Sequence, residues 1–306
     1  MKNVYPKFSI LISTRNRFED LKYTLSKINY LVNNNDVECV IYDDGSTDDT
    51  YNFVKNNYPK IIIHRNEISK GYLYCRNKML NETKAKYAIS LDDDANFLSQ
   101  NPLEEIENHF IKNPNCGLIS FRIFWGIHLP ITTNSKENSQ RVKGFVGCGH
   151  VWKIEAWKKV PNYPEWFVFY GEEEFASYQL FKINQEIHYL PTVLVHHRVE
   201  VKSRKSNNDY SIRIRRSLAS GWYLYFLFYP IKTIPRKIIY SLWIQLKTKT
   251  FKGDFKATKG IFKAVLDVII NIPKLVKQSN RLSNEEYQEI LKLSLNKIYW
   301  KPEDEE

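Results

Sequence analysis

Short unbroken apolar runs punctuate the first half of the chain: "FSILIS" at 8–13, "ECVIYD" at 38–43, "KIIIH" at 60–64, "KYAISL" at 86–91 and "GLISF" at 117–121. Runs of this length without polar alternation predict strands covered on both faces. Between the first two, Phe18, Leu21, Leu25 and Ile28 recur at helical spacing, the mark of a helix with one apolar stripe. After the second, Ser46 and Asp49 are spaced as a capping box for a helix through Tyr51 and Val54. Strand and helix in alternation predict an α/β sandwich on a mostly parallel central sheet, in which ligands collect at the carboxyl ends of the strands. The unusual polar residues fall at those ends: "STRNR" at 13–17, "DDGS" at 43–46 and "DDD" at 92–94.

The pattern then changes. Residues 134–140 are polar and read as a loop, and "GFVGCGHVWKIEAW" at 144–157 reads as glycine-rich turns around a short strand, followed by a helix. "YGEEEFASYQLF" at 170–181 reads as a helix opening with three acids, favourable at the positive end of its dipole. "EIHYLPTVLVHHRVE" at 186–200 reads as two short strands broken at Pro191. Past about Ser203 the alternation stops, and helix-compatible pieces rich in basic and aromatic residues are separated by prolines.

Charge sharpens this division. The 306 residues carry a net charge of +11, yet Arg198 to Asn280 holds 18 Lys/Arg against 4 Asp/Glu, so the remainder is slightly acidic. The 4 cysteines are scattered without CxxC spacing, which argues against a zinc site or disulfide scaffold and fits a reducing cytosol. No signal-peptide pattern opens the chain, and the longest uncharged stretch, Ser217 to Ile231, is shorter than the ~20 residues needed to span a bilayer. A cytoplasmic protein is the expectation.

Three consecutive carboxylates repel one another unless water or a cation separates them. A hard cation that also binds a diphosphate needs one or two carboxylates, with substrate and water completing its shell. Asp92 and Asp94, alternate residues of an extended segment, can share such a site. At the preceding strand end, Asp44 suits an acceptor for a base or ribose donor as well as it suits a structural cap. In "GEEEF", two acids fit the helix terminus and one suits a general base towards an acceptor hydroxyl. In "VHHRV", the two histidines must face opposite sides of their strand.

Taken in order, "STRNR", "YDDGSTDDT", "HRNEISKGYLYCRNKML", "ISLDDDANF", "GCGHVW", "YGEEEFASYQL" and "VLVHHRV" resemble the family-2 inverting glycosyltransferases with the GT-A fold, over roughly residues 7–200. The resemblance implies a Rossmann-like catalytic domain at 1–203, with a nucleotide-sugar half about 1–100 and an acceptor half about 101–203. A C-terminal helical, membrane-associating region follows at 204–306. It implies that Asp44 binds the nucleobase, that Ser13 and Arg15 meet base and ribose, and that Arg76 and Asn77 line the nucleotide side. Asp92 and Asp94 become the family's DxD motif, with Asp93 beside them on the nucleotide. Asp94 becomes the direct ligand of Mn²⁺ or Mg²⁺, and His197 reaches the metal or the diphosphate.

Glu173 matches the catalytic base, although the family shows Glu-Asp where this chain has Glu172-Glu173-Glu174 and then Phe175, and a one-residue shift moves the role to Glu172 or Glu174. The donor implied is a nucleoside-diphosphate sugar, UDP by default. The acceptor implied is a glycan or lipid-linked hydroxyl, as in cell-surface polysaccharide or glycoconjugate synthesis. Trp222, Tyr223, Tyr225, Phe226, Phe228 and Tyr229, flanked by basic residues, suit either an anionic bilayer interface or packing onto the catalytic domain. A nucleotidyltransferase would show a glycine-rich loop after the first strand, and a dinucleotide-dependent oxidoreductase would show GxGxxG there; "STRNRFED" has no glycine. Nucleic acid is disfavoured as a partner, because the aromatics form a block rather than alternating with basic residues. An inactive sugar-nucleotide-binding module remains the other alternative.

Overall fold

The computed structural model describes residues 5–199 and 209–295. The expected domain boundary at 203/204 lies outside the described residues. Among the described residues nine strands form one sheet: β1 (Phe8–Thr14), β2 (Val37–Asp43), β3 (Ile62–Arg65), β4 (Tyr87–Asp92), β5 (Ala95–Phe97), β6 (Cys116–Trp125), β7 (Gln140–Val142), β8 (Gly149–Lys153) and β9 (Glu186–His197). They lie in the order β3-β2-β1-β4-β8-β6-β9-β5, with β7 also on β9. The β3-β2-β1-β4 half is parallel throughout, as the alternation of strand and helix requires. β6 and β9 are parallel as well, and β8 runs antiparallel between β4 and β6.

Alternate residues of each central strand enter opposite cores. From β1, Ile10 and Ile12 join Leu21, Leu25 and Ile28 of α1 (Phe18–Val32), Val54 of α2 (Thr50–Asn57) and Ile106 of α4 (Pro102–Lys112). Leu11 faces the other way, towards Leu73 and Met79 of α3 (Tyr72–Glu82), Trp157 of α5 (Ile154–Trp157) and Tyr178 of α6 (Glu172–Lys182). The apolar spacing read along the first half therefore marks a sandwich with helices on both faces.

Two local expectations need correction. Ser46 and Asp49 do not form a capping box: Asp49 at the N-cap of α2 accepts no backbone bond, and the Ser46 hydroxyl accepts from the Asn16 N–H instead. Asp48 takes over, its Oδ1 accepting from the Thr50 N–H at 3.2 Å. Pro191 does not split β9 in two. Its pairing with β6 slips between Leu190 and Leu194, and Ser99 stitches the slip by accepting from the Leu194 N–H at 2.7 Å and donating to the Thr192 carbonyl at 2.9 Å. A proline that cannot donate to the ladder is thus accommodated as a bulge.

Among the described residues α7 (Tyr210–Phe228), α8 (Ile234–Thr248), α9 (Phe255–Lys277) and α10 (Asn284–Lys292) follow. They extend the α3/α6 core. The Phe228 ring lies with its centroid 4.9 Å from Tyr178 and 5.4 Å from Phe175, and Tyr223 packs on Trp166 and Phe167. The aromatic block of α7 is therefore core, with Trp222, Tyr223 and Phe228 buried, and it does not present itself to a bilayer. Phe228→Ala should cost about 3–5 kcal/mol in denaturant unfolding, the usual range for emptying a fully enclosed phenyl site. A loss within ±0.5 kcal/mol, usual for a surface position, would show that α7 is not part of the core.

Candidate active site

The parallel half aligns the carboxyl ends of β1, β2 and β4, with Ser13 opposite both Tyr42 and Asp92, and Thr14 opposite Asp43. β4 stops at Asp92, and Asp93 and Asp94 form a turn into β5. Asp92 and Asp94 thus converge through a turn and not through a shared face of an extended strand. β5 pairs antiparallel with the end of β9, setting Ala95 opposite His197, so Asp94 lies directly against that histidine. His196 faces the other way, its Nε2 2.7 Å from the Gly126 carbonyl.

His197 Nε2 is 3.1 Å from Asp94 Oδ1 and 4.0 Å from Asp92 Oδ2, while Arg17 Nη2 bonds Asp94 Oδ2 at 2.7 Å. Burial alone would raise the Asp94 carboxyl, but His197 and Arg17 outweigh it and hold the group at about 2. Asp93 is placed differently. Burial pushes it up to about 7, against the pull of Arg17, and Thr14 Oγ1 donates to its Oδ2 at 2.8 Å. Asp93 is therefore tied to β1 through Thr14, although it too lines the cavity described next.

Arg76 of α3 reaches across the opposite edge. Its Nη2 bonds Asp92 Oδ1 at 2.6 Å, its Nη1 donates to the Gly147 carbonyl at 2.9 Å, and the guanidinium stacks 4.5 Å above the Tyr72 ring. A cavity of about 560 Å³ opens between Asp92, Asp94, His197, Tyr72, Arg198 and the start of α6. A second, of about 490 Å³, lies on the far side of α6 between Phe145, Tyr178, Tyr229 and residues Ser217, Ser220 and Gly221 of α7. Glu173 lines both.

Its carboxylate sits close over the 144–148 turn: a Cβ on Gly147 would come within 2.7 Å of Glu173 Oε1. Burial first, and the neighbouring Glu172 second, hold Glu173 well above the ordinary carboxylate range. Glu172 is buried on the first cavity, is pushed up to about 7 by that burial, and leaves its Oε2 without a hydrogen-bond partner. Glu174 is exposed and lines only the second cavity. The backbone leading into α6 is strained, with Val168 at φ 68° and Tyr170 at φ 75° before Gly171 at φ 85°. Such conformations in β-branched and bulky residues concentrate where geometry has a task.

Other residues singled out from sequence stand elsewhere. Asp44 is buried with all four acceptor positions used, by Asn66 Nδ2, Ser69 Oγ and the N–H groups of Lys70 and Gly71 at 2.6–2.9 Å. It fastens the 66–71 turn, to which Gly45 comes so close, at φ 76°, that a Cβ would lie 3.1 Å from the Ser69 nitrogen. Asn77 is buried and ties α3 to Tyr163 and Glu165, so it does not line the cavity. Ser13 is half-buried and Arg15 exposed, and neither lines the first cavity.

Sequence reasoning passed over Arg17 and Arg198. Arg17 closes "STRNR" and pairs with Asp20, Asp93 and Asp94. Arg198 follows His197, and its guanidinium donates to Asn96 Oδ1 and Thr24 Oγ1 at 2.6 Å each. The signal for the first was its place at a strand end; no signal marked the second, because its partners come from α1 and β5.

Two groups among the described residues bring three candidate metal-ligand side chains together: Asp92, Asp94 and His197, and His109, Cys116 and His188. The second is already a hydrogen-bonded chain, with His109 Nε2 2.9 Å from His188 Nδ1 and His188 Nε2 2.8 Å from Glu186. The first borders the large cavity, and there Asp94 Oδ1 faces the His197 ring nitrogen at 3.1 Å while Asp92 Oδ2 lies 4.0 Å from it. Two carboxylates and an imidazole fit Mn²⁺ or Mg²⁺, whose remaining positions go to water and phosphate oxygens.

No curated protein sequence matches the chain. Among solved structures it is similar to GalNAc-T7 with UDP, GalNAc and Mn²⁺ (TM-score 0.61, 13% identity, 89% of this chain and 58% of that one). It is also similar to the mannosyltransferase PcManGT from Pyrobaculum calidifontis in complex with GDP-Man and Mn²⁺ (TM-score 0.54, 13% identity, 94% and 79%). This chain thus spans little more than half the length of the first, and at such identities the likeness is one of fold, the GT-A fold. The sequence profile "Glycosyl transferase family 2" matches residues 9–178, from β1 into α6, and by that match the chain belongs to glycosyl transferase family 2.

Proposed function

We propose that this protein is an inverting glycosyltransferase that moves a sugar from a nucleoside-diphosphate sugar to a hydroxyl of a glycan or lipid-linked acceptor. Its setting is cell-surface polysaccharide or glycoconjugate synthesis at the inner face of a membrane. The observation that carries the reading is the place of Glu173, on the wall between two cavities, one bordered by Asp92, Asp94 and His197 and the other by aromatic and hydroxyl side chains.

The donor diphosphate occupies the first cavity. Asp94, Asp92 and His197 hold the divalent ion, while Arg17, Arg198 and Arg213 add positive charge along the walls. Bound there, such an ion offsets the charge that grows on the departing diphosphate. Asp44 serves the nucleobase side by fixing the 66–71 turn, and Arg76 does so by fixing Asp92. The acceptor sugar enters the second cavity, where Phe145, Tyr178 and Tyr229 offer apolar faces and Ser177, Ser217 and Ser220 offer hydroxyls. Glu173 takes the proton of the attacking hydroxyl from the face opposite the leaving group, which inverts the anomeric carbon. Its raised pKa makes it a stronger base than a free carboxylate.

UDP-, dTDP- and GDP-sugars, each with Mn²⁺ or Mg²⁺, test the reading through slow donor hydrolysis, followed by proton NMR before mutarotation. An α-linked donor should release the β-sugar first. Release of the α-sugar from an α-linked donor would exclude the inverting mechanism. Gly147→Ala tests the base by geometry. The added methyl displaces Glu173 Oε1, and a misplaced catalytic group costs about 10²-fold. That loss should fall on kcat, with the donor-induced thermal shift unchanged.

A further inference from the structure

We infer that the surface formed by α8, the turn after it and α9 docks this protein onto an anionic lipid bilayer, with those helices lying in the plane of the interface. The surface is distinct from the aromatic block of α7 and independent of the donor chemistry.

α9 carries two apolar stripes. Ala257, Ile261, Ala264, Val268 and Leu275 are buried, and Gly260 lies so close to α7 that a Cβ would meet the Ser211 carbonyl at 2.7 Å. On the opposite side, Phe255, Phe262, Leu266, Ile269 and Val276 recur at intervals of seven, four, three and seven residues, so they too share a face. That face is open: Phe262 is 65% exposed, Ile269 56% and the adjoining Ile270 73%.

α8 repeats the arrangement. Ile234 is its one buried residue, and Trp222 Nε1 of α7 donates to Ser241 Oγ at 3.0 Å to hold the inner side. Ile239, Tyr240 and Trp243 point out, each more than half exposed. The Trp243 and Phe251 rings meet with centroids 6.1 Å apart, so the open apolar run continues from α8 into the turn that leads to α9. A soluble monomer rarely leaves so much contiguous apolar surface to water.

Charge names the occupant. Residues 231–278 contain 11 Lys/Arg and 2 Asp/Glu. Both acids are engaged: Asp254 caps α9 through the Ala257 N–H and accepts from Tyr210, and Asp267 takes a bidentate bond from Arg215. On α9, Lys256, Lys259, Lys263, Lys274 and Lys277 are exposed and flank the apolar face on one side. A second copy would bring the same positive surface against itself, because a two-fold interface joins like to like. A bilayer with anionic headgroups satisfies both parts, apolar side chains at the acyl boundary and lysines among the headgroups. No described helix is long and apolar enough to cross a membrane. α7 packs α9 on one side, and its Ser217, Ser220 and Gly221 wall the second cavity, so docking through α9 brings that cavity close to the lipid.

Vesicle flotation of the full chain tests this, using phosphatidylcholine alone against phosphatidylcholine with one-third phosphatidylglycerol. The protein should float with the anionic vesicles and stay down with the neutral ones, and high salt should release it, since the screening length shrinks to about 3 Å at 1 M. Phe262→Glu with Ile269→Glu, and separately Lys256→Ala with Lys263→Ala, should each weaken partitioning about ten-fold or more. Melting temperature and nucleotide binding should be unchanged in both, which separates this surface from the donor site. Failure to float with anionic vesicles, equal flotation of the substituted proteins, or a solution dimer broken by the same substitutions would overturn the inference.

Discussion

Glu173→Gln should lower kcat by about 10²–10⁴-fold, the range for loss of a positioned general base, while nucleotide and Mn²⁺ binding stay within two-fold of the parent. The amide keeps the size of the carboxylate over Gly147 and removes only its basicity. The pH profile gives a second readout. A base works ionised, so kcat should rise with pH through the Glu173 pKa, and burial beside Glu172 moves that limb well above the ordinary carboxylate range. In Glu173→Gln the limb should vanish. Glu172→Gln, one residue away, removes a carboxylate that lines only the first cavity, and it should shift the limb downward by relieving repulsion without abolishing turnover. If Glu172→Gln were the dead variant and Glu173→Gln the active one, the base would be the buried neighbour.

Asp94→Ala should reduce metal-dependent turnover by about 10³-fold, the scale on which transition-state charge stabilisation acts. It should also erase the extra thermal shift that Mn²⁺ gives in the presence of a nucleoside diphosphate, since a ligand that binds only the folded state raises its apparent stability. Asp94 is only 2% exposed and meets His197 through one oxygen and Arg17 through the other. Its loss therefore leaves a buried imidazole and a guanidinium facing each other. Asp94→Asn keeps the volume and one acceptor oxygen and so separates the two effects: it should melt nearer to the parent than Asp94→Ala does, while the metal response still disappears. Asp93→Asn should be the mild member of the triplet, because Asp93 is turned towards Thr14 and Arg17.

The strands of the first half were legible because a strand covered on both faces leaves an uninterrupted apolar run, and β1, β2 and β4 end within one residue of the runs that mark them. Asp92, Asp94 and His197 were legible as a set through family resemblance, but the physical route by which they meet was not. Alternation along a strand suggested a shared face, whereas a turn at Asp93 and the pairing of β5 with β9 bring them together. Residues whose role is to hold others were the hardest to read. Asp44 and Asn77 sit in motifs that face a nucleotide in sequence logic, yet their hydrogen bonds are spent on the 66–71 turn and on Tyr163. The block from Trp222 to Tyr229 was equally compatible with lipid and with core, since aromatic composition carries no direction. Only the contacts with Phe175 and Tyr178 decide it, while the exposed face lies on the two helices that follow.

A divalent ion clasped by Asp92, Asp94 and His197 against a sugar donor's diphosphate can be sought directly. Electron paramagnetic resonance of free Mn²⁺ during titration with this protein, with and without UDP or GDP, measures that clasp without requiring an acceptor. Mn²⁺ uptake should be weak for the protein alone, at least ten-fold tighter once the nucleotide is present, and stripped of that gain in Asp94→Asn. Uptake that ignores the nucleotide, or that survives in Asp94→Asn, would contradict that clasp.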